Sequence, residues 1–298
     1  MEQTLRDKRA VEIVNRIYSV KDELKEYNKF IDTLLYLNEV LKESNTQIPY
    51  WKKFSETLLF KICFHGISIH NIISGFELNS IFISEINNHK IVDRASSIVI
   101  LRSQLEAFLM YRHLYVNTKN DNEREFRYLA WIHASLKMRQ KYPENTSVGK
   151  RKKAQEKIEI EKIQERIQGL NSFGELSDKQ KIAIFKEGSS KLFKHWNTIL
   201  AESGYNENHI FSIEYKYWST YAHSEGLSIM QLHDSLFHKK ENDTSIIADI
   251  HTSKLIIASM IIFLCNDFED VKSRFNTLNP ELQFDIEYFY NLSLISHL

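Results

Sequence analysis

The chain has 298 residues, 43% hydrophobic and 26% charged, the balance of a globular protein, which excludes disordered, collagen-like and mucin-like classes. Lys plus Arg and Asp plus Glu number 39 each, so no net field draws the whole molecule onto nucleic acid or anionic lipid. Eight glycines and three prolines stand where average usage supplies about 21 and 15. Hairpin-rich β folds spend those residues on turns, so the composition predicts an all-α fold.

In chain order, the opening MEQTLRDKRAVEIV mixes both charge signs and lacks the apolar core of a secretory signal. From Ala10 a 3-4 alternation runs through Ile13, Ile17, Val20, Leu24, Tyr27, Ile31, Leu34, Asn38 and Leu41. It predicts a long heptad-patterned helix over residues 1–48, followed by a helical bundle over 49–298. Asn38 falls at an a position, where a buried amide fixes register at a cost in stability. The seam serves either packing within the chain or self-association.

Pro49 is suited to open a second helix that stops near Gly75. A third is predicted over Ile91 to Asn117 and a fourth over Asn122 to Tyr142, ending at the Pro143 to Gly149 turn. Lys150 to Gln168 is dense in charge, with Ile158, Ile163 and Ile167 as a thin apolar stripe, and reads as part of a protruding segment at about 143–175. Its opening Lys150-Arg-Lys-Lys153 is soon offset by Glu156, Glu159, Glu161 and Glu165. After a loop at Asn171 to Gly174 and a cap at Ser177, helices are predicted over Ser189 to Glu202, Asn208 to His233, Thr244 to Asp270 and Pro280 onward.

Cys63 and Cys265 lie far apart without metal-ligand spacing, which argues for a reducing cytoplasm and against a disulfide framework or zinc site. The longest uncharged apolar stretch, Leu255 to Cys265, is shorter than the ~20 residues that cross a bilayer. It reads as a buried core helix, and the chain as a cytoplasmic protein with no membrane partner.

Two constellations carry candidate chemistry. Arg102 and Glu106 lie four apart on an apolar helix with Ile98, Val99, Leu105 and Leu109, where charges must be paired or face a polar pocket. In Tyr215-Lys-Tyr-Trp-Ser-Thr-Tyr-Ala-His-Ser-Glu-Gly226, Lys216, Ser219 and His223 share one helical face, and Tyr217, Tyr221 and Ser224 the next. His223 suits proton transfer near neutral pH.

Asp93, Ile100-Leu-Arg-Ser-Gln-Leu-Glu-Ala107, Phe193-Lys-His-Trp196 and Tyr217-Trp-Ser-Thr-Tyr-Ala-His-Ser224 together resemble the DUF5677 family of prokaryotic helical proteins, over roughly residues 60 to 265. That family is similar to the HEPN group of toxin–antitoxin and phage-defence proteins, whose active members are metal-independent ribonucleases with an R-x(4–6)-H motif. The resemblance implies a HEPN-like bundle acting on RNA without metal or cofactor, as a homodimer or with a partner protein of a defence system. His223 would be the general acid/base, with Lys216 or Arg102 stabilising phosphate charge and Glu106 orienting Arg102. Tyr217, Ser219 and Ser224 would contact substrate. The chain departs from the motif by carrying Lys216 in a K-x6-H spacing; lysine keeps the charge but loses the guanidinium fork. A formal match at Arg127 and His133 sets the two about 240° apart around a helix and is discounted. The other reading is a non-catalytic sensor or scaffold that self-associates through Ala10 to Leu41 and binds a partner protein or small ligand.

Overall fold

A computed structural model describes residues 3–15, 19–44, 46–88, 90–238 and 243–295. The fold is all-α, 77% helical with 1% strand. Helix α1 (Gln3–Asn15) is followed by α2 (Val20–Glu43). Ser19 is extended, and its hydroxyl accepts from the backbone N–H of Asp22, so α2 has a capped start of its own. The heptad pattern is thus divided between two helices instead of forming one long one, and Ile17 lies outside the described residues.

A 3-10 turn at Tyr50–Lys52 precedes α3 (Ser55–Ser74), which ends where Gly75 takes φ +80. A short antiparallel pair, β1 (Phe76–Glu77) and β2 (Lys90–Ile91), matches Phe76 with Ile91. Helix α4 (Arg94–Tyr111) continues into a π-helical turn at Arg112–Val116. Then come α5 (Asp121–Lys141), α6 (Ser147–Gln168), α7 (Asn171–Gly174) and α8 (Asp178–Glu187), the last opened by a capping box between Ser177 and Gln180. The series ends with α9 (Trp196–Glu202), α10 (Ile210–Ala222), α11 (Gly226–His238), α12 (Asp243–Asp267), α13 (Glu269–Phe275) and α14 (Pro280–Leu292).

Two predicted helices are shorter than expected for local backbone reasons. Leu192 and Phe193 take positive φ (49° and 65°), so α9 begins only at Trp196. Ser224, at φ 52°, divides the predicted 208–233 helix into α10 and α11.

The described chain forms two compact units, one of residues 1–47, 56–108 and 204–298, the other of 48–55 and 109–203. In the larger unit α12 packs on α2, α13 and α14. Of the heptad residues in α2, Leu24, Tyr27, Ile31, Leu34, Asn38 and Leu41 are buried there, and Val20 at its start is half-buried. From Leu24 to Leu41 that seam is therefore spent on packing inside the unit. Gly66 of α3 allows close approach, since a Cβ there would meet Tyr27 Oη at 3.1 Å and Ile257 at 3.3 Å. A buried polar thread joins four helices: Tyr27 Oη lies 2.6 Å from Ser253 Oγ, Ser253 donates to Gln104 Oε1, and Gln104 donates to the Ile62 carbonyl.

Among the described residues, two stretches, Tyr50–Ser74 and Asp243–Asp267, are by length and composition alone apolar enough to cross a membrane. In the second, 78% of the apolar window is buried inside the protein, so α12 spends its apolar surface on the core. The expected Leu255 to Cys265 core stretch is its C-terminal half.

In the smaller unit α6 lays Ile160, Ile163 and Ile167 against Phe126, Leu129 and Leu136 of α5. Ile158, expected in that stripe, is exposed, and Ile160 takes its place.

Candidate functional site

In the larger unit α4 and α10 carry the predicted site residues. Arg102 and Glu106 form an ion pair at 3.3 Å, and Tyr215 bridges them, accepting from Arg102 Nη2 and donating to Glu106 Oε1, each at 3.2 Å. The guanidinium also lies over the Tyr215 ring, 5.1 Å from its centroid. Burial raises the Tyr215 phenol above its ordinary value. The Arg102 Nε is buried with no hydrogen-bond partner. This cluster ties α4 to α10, and Tyr215 completes it.

The other α10 residues lie apart from it. Ser219 spends its hydroxyl on the Tyr215 carbonyl at 2.7 Å. His223 is the C-cap residue of α10 and is exposed. Eight residues of helix, about 12 Å of rise, separate it from Tyr215, so the contacts do not bring His223 to Arg102 or Glu106. Lys216 is exposed on the same α10 face as His223. Ser224 does not reach a substrate pocket from a helix face: it holds the left-handed residue of the turn that ends α10. Its N–H donates to the Tyr221 carbonyl, and that of Glu225 to the Thr220 carbonyl, the pair of bonds of a Schellman motif.

A second polar cluster surrounds Arg94, at the start of α4. Arg94 grips Asp249 of α12 through Nε (2.7 Å) and Nη2 (3.2 Å). Its charge is further stabilised by Tyr217. The hydroxyls of Tyr217 and Tyr221 lie 3.1 Å apart, and both are within donating distance of Gln231 Oε1 of α11; with one proton each, the two phenols make two of these three contacts as hydrogen bonds at a time. Burial, with Asp249 nearby, pushes Glu214 up to about 6, against the pull of Arg94. Burial also raises Asp249, Arg94 opposing it. Arg94, Glu214, Asp249 and Gln231 were not singled out in the sequence. The one legible sign was Asp249, an acid set in the apolar run Ile246-Ile-Ala-Asp-Ile250, which needs a buried partner.

The discounted Arg127 and His133 match is not a unit. In the smaller unit Arg127 pairs with Glu123 and donates from Nη1 to the Nδ1 and carbonyl of His113. Buried His133 lies beside Gln164, Nε2 to Nε2 at 3.0 Å. Burial and Arg127 lower His113 to about 3, so its ring accepts as a neutral imidazole. Among the described residues no three His, Cys, Asp or Glu side chains converge in a metal-binding arrangement.

No protein-family model, no curated protein and no solved structure matches the chain. The functional reading therefore rests on its own residues.

Proposed function

We propose that the chain is a helical recognition module that acts by binding a partner protein, with the outer face of α10 and α11 as the contact surface. The observation that carries this reading is where the chain spends its polar groups and where it leaves apolar ones. Arg102, Glu106, Tyr215, Arg94 and Asp249 are engaged in ties between helices, the structural use of charge in a bundle. Ile213, Leu227, Ile229 and Met230 are 50–68% exposed, on the helices that carry Lys216 and His223. Apolar side chains rimmed by polar ones mark interaction surfaces. A cytoplasmic location belongs to the same reading.

The test is sedimentation velocity across a wide concentration range, alone and with proteins that co-purify from the native host, for wild type and Leu227→Asp/Met230→Asp. Association that the double variant abolishes, with its melting curve unchanged, supports the surface. A wild type that stays monomeric and retains nothing through these residues defeats it.

A second reading follows from Lys216 and His223. Seven residues is about 700° of helix, close to two whole turns, so both project from one α10 face, and both are exposed. On this reading the chain is a metal-independent, HEPN-like ribonuclease of an anti-phage defence or toxin system. His223 is the acid/base on the ribose 2′-hydroxyl, and Lys216 stabilises the phosphorane-like charge. Arg102 and Glu106 sustain α10 from behind. Incubating total RNA with the protein in excess EDTA, beside His223→Ala and Arg102→Ala, separates the two readings. Cleavage lost in His223→Ala favours the nuclease, and intact RNA in every lane favours the binding module.

A further inference from the structure

The smaller unit holds a groove of about 270 Å³ lined by Gln140, Glu144, Lys150, Lys153, Ala154 and Lys157. We infer that this groove binds the phosphodiester backbone of single-stranded nucleic acid, with Tyr142 beside it as a base-stacking platform. The inference is independent of the α10–α11 surface.

Three lysines at i, i+3 and i+7 fall on one face of α6, and Ala154 between them leaves the space open. Lys153 is anchored: its ammonium donates to the carbonyls of Gln140, at 2.9 Å, and Tyr142. Lys150 and Lys157 are exposed on either side of it. Glu144 is the one carboxylate lining the groove, and its Oε1 already accepts from the Thr146 N–H (2.9 Å) and hydroxyl (2.7 Å). Glu156, the acid closest in sequence on α6, is buried against Arg139 and so does not neutralise the lysines. With three lysines and one ionised carboxylate in its lining, the groove carries a local excess of positive charge on a protein with no net charge.

The ends of the lysine row are seven residues apart, about 10 Å along the helix, which is longer than one phosphate group. A run of phosphates fits this row better than a single anion does. Tyr142, 61% exposed, caps the C-terminus of α5, and its carbonyl holds Lys153. An exposed aromatic next to a cationic groove is the arrangement that grips unpaired bases without reading sequence.

The experiment is fluorescence anisotropy of labelled oligo-U and oligo-dT with the full chain over a salt series. Lys150→Gln/Lys157→Gln is compared with Arg151→Gln/Lys152→Gln, which removes the same charge from the same helix outside the groove lining. The expected result is an affinity loss of about tenfold or more at low salt for the first pair, with its salt slope shallower by ~1.4, and a much smaller loss for the second. Tyr142→Ala should weaken binding about tenfold and Tyr142→Phe should restore it. Equal losses for the two double variants, or no binding of either oligonucleotide by wild type at low salt, would overturn the inference. So would binding of phosphatidylserine vesicles in place of the oligonucleotides.

Discussion

At the scale of single residues, the informative positions are buried polar groups that the core does not fully satisfy. Asn38 is 1% exposed, and neither its Oδ1 nor its Nδ2 has a hydrogen-bond partner. An amide of that kind carries its full desolvation cost, ~1–3 kcal/mol. Asn38→Leu should therefore stabilise the protein by about 1 kcal/mol or more in urea unfolding, and a loss of stability would mean that the amide contributes more than it costs. Glu214 sets a pH dependence. Its native value is about 6 against 4.5 as the ordinary value, so between those values the native state binds more protons than the unfolded one. Its favourable contribution is complete below pH 4.5 and is lost as pH rises through 6. At pH 7 the ionised, partly buried carboxylate costs about 1 kcal/mol after allowance for solvent screening. Glu214→Gln should recover that stability at pH 7 and change little at pH 4; a difference in urea midpoints that stays flat across this range would contradict the assignment.

At the scale of elements, caps and backbone angles decide where the pattern of hydrophobic residues is interrupted. The predicted bounds of the third and fourth helices match α4 with its π-turn and α5 closely, because Asn120 caps one end of α5 and Pro143 follows the other. The break between α10 and α11 was not legible. Its left-handed position is held by Ser224, whereas glycine is the residue that marks such a turn in a sequence. A non-glycine residue in that conformation costs roughly 1 kcal/mol. Ser224→Gly should accordingly raise the melting temperature by a few degrees without altering helix content, as followed by circular dichroism. A lower melting temperature would show that the serine side chain stabilises the turn. The separation of His223 from Arg102 and Glu106 comes from the eight residues of helix between it and Tyr215, whereas their grouping came from the family resemblance and not from helix periodicity.

For the molecule as a whole, the larger unit is organised around α12, whose charged Lys254 is almost fully buried. Its ammonium is 2.7 Å from Glu23 of α2 and lies over the rings of Phe30 and Phe289, with His251 also facing Glu23 at 3.2 Å. Burial disfavours charge on Lys254, and Glu23 opposes that effect. Glu23→Gln should cost about 3–5 kcal/mol, because it leaves a buried cation without a counter-charge. Glu23→Leu/Lys254→Met, which removes both charges, should cost far less, and urea unfolding of the pair distinguishes a needed ion pair from a replaceable one. Helical class, most element positions and the core role of Leu255 to Cys265 were determined by the sequence alone, since scarce glycine and proline and the spacing of apolar residues act locally. Which charges pair was decided only by tertiary structure. Arg94 meets Asp249 and Glu23 meets Lys254 across more than 150 residues of chain, and local spacing carries no information about partners that distant packing supplies.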